Sequence, residues 1–308
     1  MSKISYFLPS FETMLYKKGI YSSLRLNPMQ TSKKFTYFFA LVISVSFIIS
    51  FFLYGIQNSI AENNPHVELK PFSYSKILSR TTTVILFISL LWFHKRIEKK
   101  PIRSLGLENI KKRKKDLILG FLAGMASLSF VVVTKVIFGV STWAPKEFLA
   151  FDYLISLYFL LSVFCIAFVE ELFFRGYLLQ SFVAEWGEKK AAIFTSLFFS
   201  ITHFIRPMYD ILILIPEFIG LFLVGYALSY AWIYTRSLYL PIGIHAGWVY
   251  IVKMQSFFVS PIPHDYHWLF GGERLVTGLI SWMFMFLFLI GLKSIFEHML
   301  KKDKMPIG

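Results

Sequence analysis

The sequence predicts an all-α, polytopic integral membrane protein, and three observations support this fold class. Of the 308 residues, 56% are hydrophobic and 16% are charged, whereas soluble domains contain about 25% charged residues. The mean hydropathy is +0.59. The charged residues cluster between uncharged segments that reach the ~17–25 residues of a membrane-spanning helix. These features exclude a soluble enzyme, a nucleic-acid-binding module and a disordered chain.

Eight apolar segments predict about eight transmembrane helices. The chain shows no internal repeat and no low-complexity linker, so residues 1–308 are predicted to form a single membrane domain. In chain order, the eight segments are Phe35–Ile56, Ile77–His94, Leu117–Val140, Tyr153–Val183, Ala191–Ile205, Ile211–Tyr234, Leu238–Phe258 and Leu275–Phe296.

Lysine and arginine are distributed unequally between alternate connections. With both termini in the cytoplasm, twenty-two of them lie on the cytoplasmic side and five on the other side, as the positive-inside rule requires. The net charge of +14 is therefore interpreted as contact with anionic lipid headgroups and not with nucleic acid. The N-terminal segment lacks the short apolar core and cleavage site of a secretory signal. We expect a multi-pass protein of the bacterial inner membrane.

Five ionisable residues lie within three of the apolar segments. The fourth segment contains Glu170, Glu171 and Arg175, the fifth contains His203, and the seventh contains His245. A charge at the centre of a bilayer costs at least ~2.5–3.5 kcal/mol, so such residues usually mark a functional site. At a rise of about 1.5 Å per residue, the glutamates and both histidines reach similar depths from the cytoplasmic side. The sequence therefore predicts one polar site inside the helix bundle.

The spacing within this group separates the roles of the two glutamates. Glu171 and Arg175 are four residues apart, so they share a helix face and can form an ion pair. Glu170 points about 100° away and is the carboxylate available as a general base. A glutamate beside a histidine can deprotonate a water molecule, and a second histidine can donate a hydrogen bond to the oxyanion of an attacked carbonyl.

Three motifs on successive apolar segments carry a family resemblance. The first, E-E-x-x-x-R, is Glu170-Glu171-Leu172-Phe173-Phe174-Arg175, the second, F-x-x-x-H, is Phe199-Ser200-Ile201-Thr202-His203, and the third begins His245-Ala246-Gly247-Trp248-Val249. In this order and spacing they resemble the CAAX-protease and bacteriocin-processing (CPBP, or Abi-like) family of intramembrane proteases. The resemblance implies that residues 153–258 form the catalytic core.

The resemblance also implies a reaction and a role for each site residue. The expected reaction is hydrolysis of a peptide bond within the membrane by a glutamate-activated water. Carried over to this chain, Glu170 is the general base, His203 helps to hold the water, and His245 belongs to the oxyanion-stabilising pair. Glu171 and Arg175 support the site.

One position departs from the family pattern and leaves alternatives open. Val249 stands where the family often has an amide or a carboxylate, and a valine side chain neither donates nor accepts a hydrogen bond. The main alternative is a non-catalytic immunity or binding protein of the same fold. A third hypothesis is an ion-coupled transporter, although the chain lacks the paired broken helices that such carriers often show.

The expected cofactor and partners follow from the same resemblance. The family is often labelled a metalloprotease, and Glu170, His203 and His245 would be the ligands of a divalent metal such as zinc if one is bound. A glutamate–histidine water mechanism requires no metal. The expected partners are the lipid bilayer and a membrane-embedded or lipid-anchored peptide or protein, of CAAX type or similar. No nucleic acid is expected.

Overall fold

The protein is an all-α, multi-pass membrane protein. The computed structural model describes residues 28–63, 72–203, 211–272 and 274–302. Within these ranges, six helical segments are long and apolar enough to cross a membrane. They are Phe35–Asn63, Tyr74–Arg96, Ile102–Ile137, Ala150–Trp186, Leu214–Thr235 and Leu279–His298.

The described residues form two compact units. The first contains Leu105–Ile201 and the described residues after 210, and the second contains the described residues up to Ser104 together with 202 and 203. The single domain over residues 1–308 and the catalytic core over residues 153–258 remain predictions.

The second unit is built on two long helices, α1 (Pro28–Asn63) and α2 (Tyr74–Arg96). They pack together through rings such as Phe38 and Phe93, whose centroids are 5.1 Å apart. Buried His94 closes the end of α2, because its two ring nitrogens contact Glu98 Oε2 and Ser104 Oγ, each at 2.9 Å. A 3₁₀ turn, Ile102–Leu105, leads into the first unit.

The first unit contains the remaining elements, except that the last two residues of α6 belong to the second unit. The helices are α3 (Ile110–Ile137), α4 (Ala150–Glu171), α5 (Gln180–Trp186), α6 (Glu188–His203), α7 (Ile211–Thr235), α8 (Tyr239–Met254), α9 (His267–Phe270) and α10 (Leu279–Lys302). A π-helical segment, Leu172–Leu179, joins α4 to α5, and a 3₁₀ turn, Gln255–Phe257, follows α8.

Two short strands join the connections that follow α3 and α8. Strand β1 (Ser141–Trp143) pairs antiparallel with β2 (Val259–Pro261), with Thr142 opposite Ser260. The sequence analysis missed this pair because a three-residue strand is too short to show an alternating pattern. The pairing brings the C-terminal ends of α3 and α8 to the same side of the unit.

Helices α3 and α8 touch through glycines, which allow two helix backbones to approach closely. A Cβ atom on Gly120 would lie 2.5 Å from the carbonyl oxygen of Leu240, and one on Gly124 would lie 2.4 Å from that of Ile244. On α8, Gly243 and Gly247 make equally close approaches to α3. The two helix backbones are therefore in close contact here, and this contact fixes the section of α8 that carries His245.

Adding a methyl group to this contact should destabilise the first unit. In Gly247→Ala, the new Cβ would lie 2.3 Å from the carbonyl oxygen of Phe121. We expect a loss of about 1–3 kcal/mol, as for other overpacked cores, seen as a lower midpoint of thermal unfolding in detergent. The matched control is Gly291→Ala in α10, where the Cβ would meet nothing within 4 Å. Equal midpoints for the two variants would contradict the close contact.

Eight crossings are predicted, and six helical segments of the described residues are long and apolar enough to cross a membrane. The other two predicted crossings correspond to α6 and α8, which have 16 residues each. Helices of this length extend about 24 Å, which is less than the ~30 Å hydrocarbon core of a bilayer. Residues 204 and 205, at the end of the fifth predicted segment, lie outside the described residues.

Candidate active site

The first site motif lies where α4 changes its helical geometry. Glu170 and Glu171 are the last two residues of α4, and Arg175 lies in the π-helical segment that follows. Wide π turns are rare and occur often at functional sites. All eight residues of this segment are buried, so the turn holds Arg175 in the interior of the unit.

Glu171 is the centre of the polar network. Its Oε1 accepts a hydrogen bond from Arg175 Nη1 at 2.7 Å and another from His245 Nδ1 at 2.8 Å. The side chains of Glu171 and Arg175 are both 0% exposed. The predicted ion pair is therefore present, and it is joined to the third motif by a contact that the sequence analysis did not predict.

Arg175 is held on two further sides. Its Nη2 donates a hydrogen bond of 2.9 Å to the carbonyl oxygen of Gly225 in α7. Its guanidinium lies 4.9 Å from the ring centroid of Phe199 in α6, a distance at which the cation is attracted to the aromatic face. The arginine thus connects α4, α6 and α7 in the interior and does not extend to the lipid headgroups.

The contact with Glu171 determines how His245 is oriented. A carboxylate can only accept hydrogen bonds, so Nδ1 of His245 carries the proton and Nε2 is directed elsewhere. Oε2 of Glu170 lies 3.8 Å from this Nε2. This distance is longer than that of a direct hydrogen bond. Both atoms are near enough to contact the same water molecule. The ring of Phe199 packs edge-on against His245, with centroids 6.1 Å apart.

Exposure distinguishes the two adjacent glutamates. The side chain of Glu170 is 22% exposed, whereas that of Glu171 is 0% exposed and that of His245 is 6% exposed. Of these three side chains, that of Glu170 is the most exposed, although its Oε2 atom is itself buried. The separate roles predicted for the two glutamates remain a prediction.

The structure places the remaining motif positions on α6 and α8. His203 is the last residue of α6, half-buried, and follows Phe199 by one helical turn. Its predicted place beside Glu170 remains a prediction. Val249 follows His245 by one turn of α8 and is also half-buried.

No complete metal site is found among the residues that the structure describes. Within these ranges, no group of three or more His, Cys, Asp and Glu side chains could hold a metal ion. Glu170 and His245 supply two possible donors, whereas catalytic zinc sites use three protein ligands. The predicted ligand set of Glu170, His203 and His245 remains a prediction, and no step of the proposed mechanism uses a metal.

Glu217 and Lys135 are buried ionisable residues within the apolar segments that the sequence analysis did not single out. Glu217 lies in α7 next to Pro216, is buried, and forms an ion pair with Arg274. Its signal in the sequence is a lone carboxylate inside the sixth apolar segment. The ion pair attaches the connection before α10 to α7, and it is separate from the network around Glu171.

Comparison with known families agrees with the motifs. Residues 152–251 match the family model described as Rce1-like, type II CAAX prenyl endopeptidase. The predicted resemblance is confirmed. The Rce1-like region starts in the first turn of α4 and ends within α8, so it contains Glu170, Glu171, Arg175, His203 and His245. No curated protein gives a significant match to the chain.

Proposed function

We propose that the protein is an intramembrane endopeptidase that hydrolyses a peptide bond of a membrane-embedded or lipid-anchored substrate. The observation that carries this proposal is the 3.8 Å separation between Glu170 Oε2 and His245 Nε2, with the opposite side of the imidazole held by buried Glu171. A partly exposed glutamate and an oriented imidazole, with polar atoms near enough to contact the same water molecule, are the groups that water-mediated acyl transfer requires.

The proposed first step is attack by water on the scissile carbonyl carbon. The carboxylate of Glu170 accepts a proton from the water as the new C–O bond forms. The carbonyl π electrons move to oxygen and give a tetrahedral oxyanion. Arg175 is paired with Glu171, so the guanidinium keeps this counter-charge when Glu170 takes up the proton.

His245 is proposed to stabilise the oxyanion. The hydrogen bond from Nδ1 to Glu171 leaves Nε2 as the ring nitrogen that can face the oxyanion. Nε2–H can then donate to the oxyanion, as a preorganised donor in a site with little water. Collapse of the intermediate breaks the C–N bond, and the proton taken up by Glu170 goes to the leaving amine.

His203 is proposed to help hold the attacking water, as the family resemblance implies. Val249 supplies no second donor to the oxyanion, and loss of one such donor typically costs ~10²–10³ in rate. We therefore expect slower turnover than in a chain with an amide at this position. A rise in cleavage rate for Val249→Asn in the purified protein would agree with this expectation, and an unchanged or lower rate would contradict it.

We further propose eight crossings with both termini in the cytoplasm. Three contacts in the first unit support this arrangement. Arg236 pairs with Glu188, and Tyr239 Oη donates to the carbonyl oxygen of Glu108 at 2.7 Å. Both contacts join connections that the lysine and arginine distribution assigns to the cytoplasm. The β1–β2 pair joins two connections assigned to the opposite side. The bacterial inner membrane remains a prediction.

A cleavage assay tests the proposed function. The purified protein in detergent is incubated with a library of lipid-anchored and apolar peptides, and products are identified by mass spectrometry. His245→Gln should lose cleavage, whereas His264→Gln, in the connection before α9, should retain it. Failure of the well-folded wild type to cleave any peptide, together with a cellular phenotype that survives His245→Gln, would instead favour the non-catalytic immunity or binding protein.

A further inference from the structure

The N-terminal part of α3 carries four lysines on its outer face. Lys111, Lys112, Lys114 and Lys115 are all exposed. At about 100° per residue, they occupy an arc of roughly 160° around the helix axis. Arg113 lies outside this arc, on the side of α3 that Gly120 and Gly124 present to α8. We call the four side chains the lysine face.

The charges of the lysine face have no ion-pair partner within the described residues, whereas the charge next to them does. Arg113 is buried and its Nε and Nη1 contact Glu108 at 2.8 Å and Asp116 at 3.2 Å. At this end of α3 the protein therefore neutralises the cation on the inner side, Arg113, and leaves the outer side strongly positive. An outer surface of this kind suits an anionic partner.

Farther along α3, the residues on the same face as the four lysines indicate that the anionic partner lies in the membrane. Ile118, Leu119 and Leu122 fall within the arc of the lysine face and are 55%, 49% and 54% exposed. They belong to a segment that is long and apolar enough to span a membrane. One face of α3 thus changes from lysine to exposed aliphatic side chains within about two turns. A phospholipid has the same order of groups, with a charged headgroup followed by apolar acyl chains.

We propose that the lysine face and the aliphatic residues below it form a binding surface for anionic phospholipids. The phosphate of the headgroup contacts the ammonium groups, and the acyl chains lie along Ile118, Leu119 and Leu122. Each basic residue near an anionic surface contributes about 1 kcal/mol, or roughly fivefold in affinity. A soluble phosphate ion would gain the first contact only, so the surface should select a lipid.

This surface is connected to the section of the fold that carries the candidate site. The residues just before α3 contact the start of α8, since Leu238 N–H donates to Gly106 O at 3.1 Å and Tyr239 Oη donates to Glu108 O at 2.7 Å. Farther along, α3 packs on α8 on both sides of His245 through glycines. Bound lipid would therefore stabilise the helix against which α8 is positioned.

Native mass spectrometry of protein released from nanodiscs tests the proposal. The nanodiscs contain equal parts of phosphatidylglycerol and phosphatidylcholine, and the measured quantity is the ratio of the two lipids retained. Lys111→Gln with Lys115→Gln removes the centre of the lysine face and should lower this ratio roughly tenfold or more. The matched control is Lys189→Gln with Lys190→Gln, which removes two exposed lysines at the start of α6 and should leave the ratio near that of the wild type.

Two outcomes would overturn the proposal. An equal decrease in both double variants would mean that total charge governs retention and that the lysine face is not a site. Displacement of phosphatidylglycerol by excess inorganic phosphate would mean that the surface binds the ion without selecting a lipid. Since lipid retention is measured without a substrate, either result leaves the proposed protease function untouched.

Discussion

Glu170→Gln should reduce peptide hydrolysis by at least about a hundredfold, because positioned general bases contribute ~10²–10⁴ to rates. Glutamine has nearly the shape of glutamate but cannot accept the proton of the attacking water. The side chain is partly exposed and Arg175 keeps its buried partner Glu171 in this variant, so the substitution should leave the thermal unfolding midpoint nearly unchanged. The measurement is the initial cleavage rate of the purified protein in detergent.

The matched control for this variant is Glu147→Gln, which removes an exposed carboxylate between β1 and α4. It should cleave at the rate of the wild type. If Glu170→Gln also cleaves at that rate, Glu170 is not the base and the proposed mechanism is wrong. A loss of cleavage accompanied by a large fall in the unfolding midpoint would contradict the expectation that Glu170 acts in the chemistry and not in the fold.

Glu171→Ala should have the largest effect on stability. The substitution leaves the guanidinium of Arg175 buried without its carboxylate and removes the acceptor for His245 Nδ1–H. Breaking a buried ion pair on one side typically costs about 3–5 kcal/mol, because an uncompensated charge remains. Thermal unfolding in detergent should show a much lower midpoint, accompanied by loss of cleavage.

A double substitution separates the charge from the catalytic geometry. Glu171→Leu with Arg175→Met removes both charges, and replacement of a buried pair by apolar side chains is often neutral for stability. We expect this variant to be clearly more stable than Glu171→Ala and still inactive, since His245 remains unoriented. If the two variants unfold at the same temperature, the buried charge is not the cause of the instability.

The local part of the site could be predicted from the sequence. A spacing of four residues places Glu171 and Arg175 on one helix face, and the ion pair has this geometry even though the π-helical segment begins between them. The greater accessibility of Glu170 follows from the same spacing. Rules of this kind succeed because helical periodicity relates neighbours in the chain without knowledge of the packing.

The contact between Glu171 and His245 could not be predicted in this way. The two residues are 74 positions apart, and their meeting depends on the packing of α8 against α3 and α4. A spacing of four residues places Gly120 and Gly124 on one face of α3, but the sequence does not show that Gly243 and Gly247 oppose them. The π-helical segment also escaped prediction, because the fourth apolar segment has the composition of a continuous helix.

The glycine contact between α3 and α8 has a consequence for variation within this architecture. With no side chains between Gly120 and Gly243, or between Gly124 and Gly247, the spacing of the two helices is set by main-chain atoms. Mutations elsewhere on their surfaces can then accumulate without moving the imidazole of His245. The four glycines thus fix the distance between the two helices. We expect substrate preference to vary more than this distance among proteins with the same architecture.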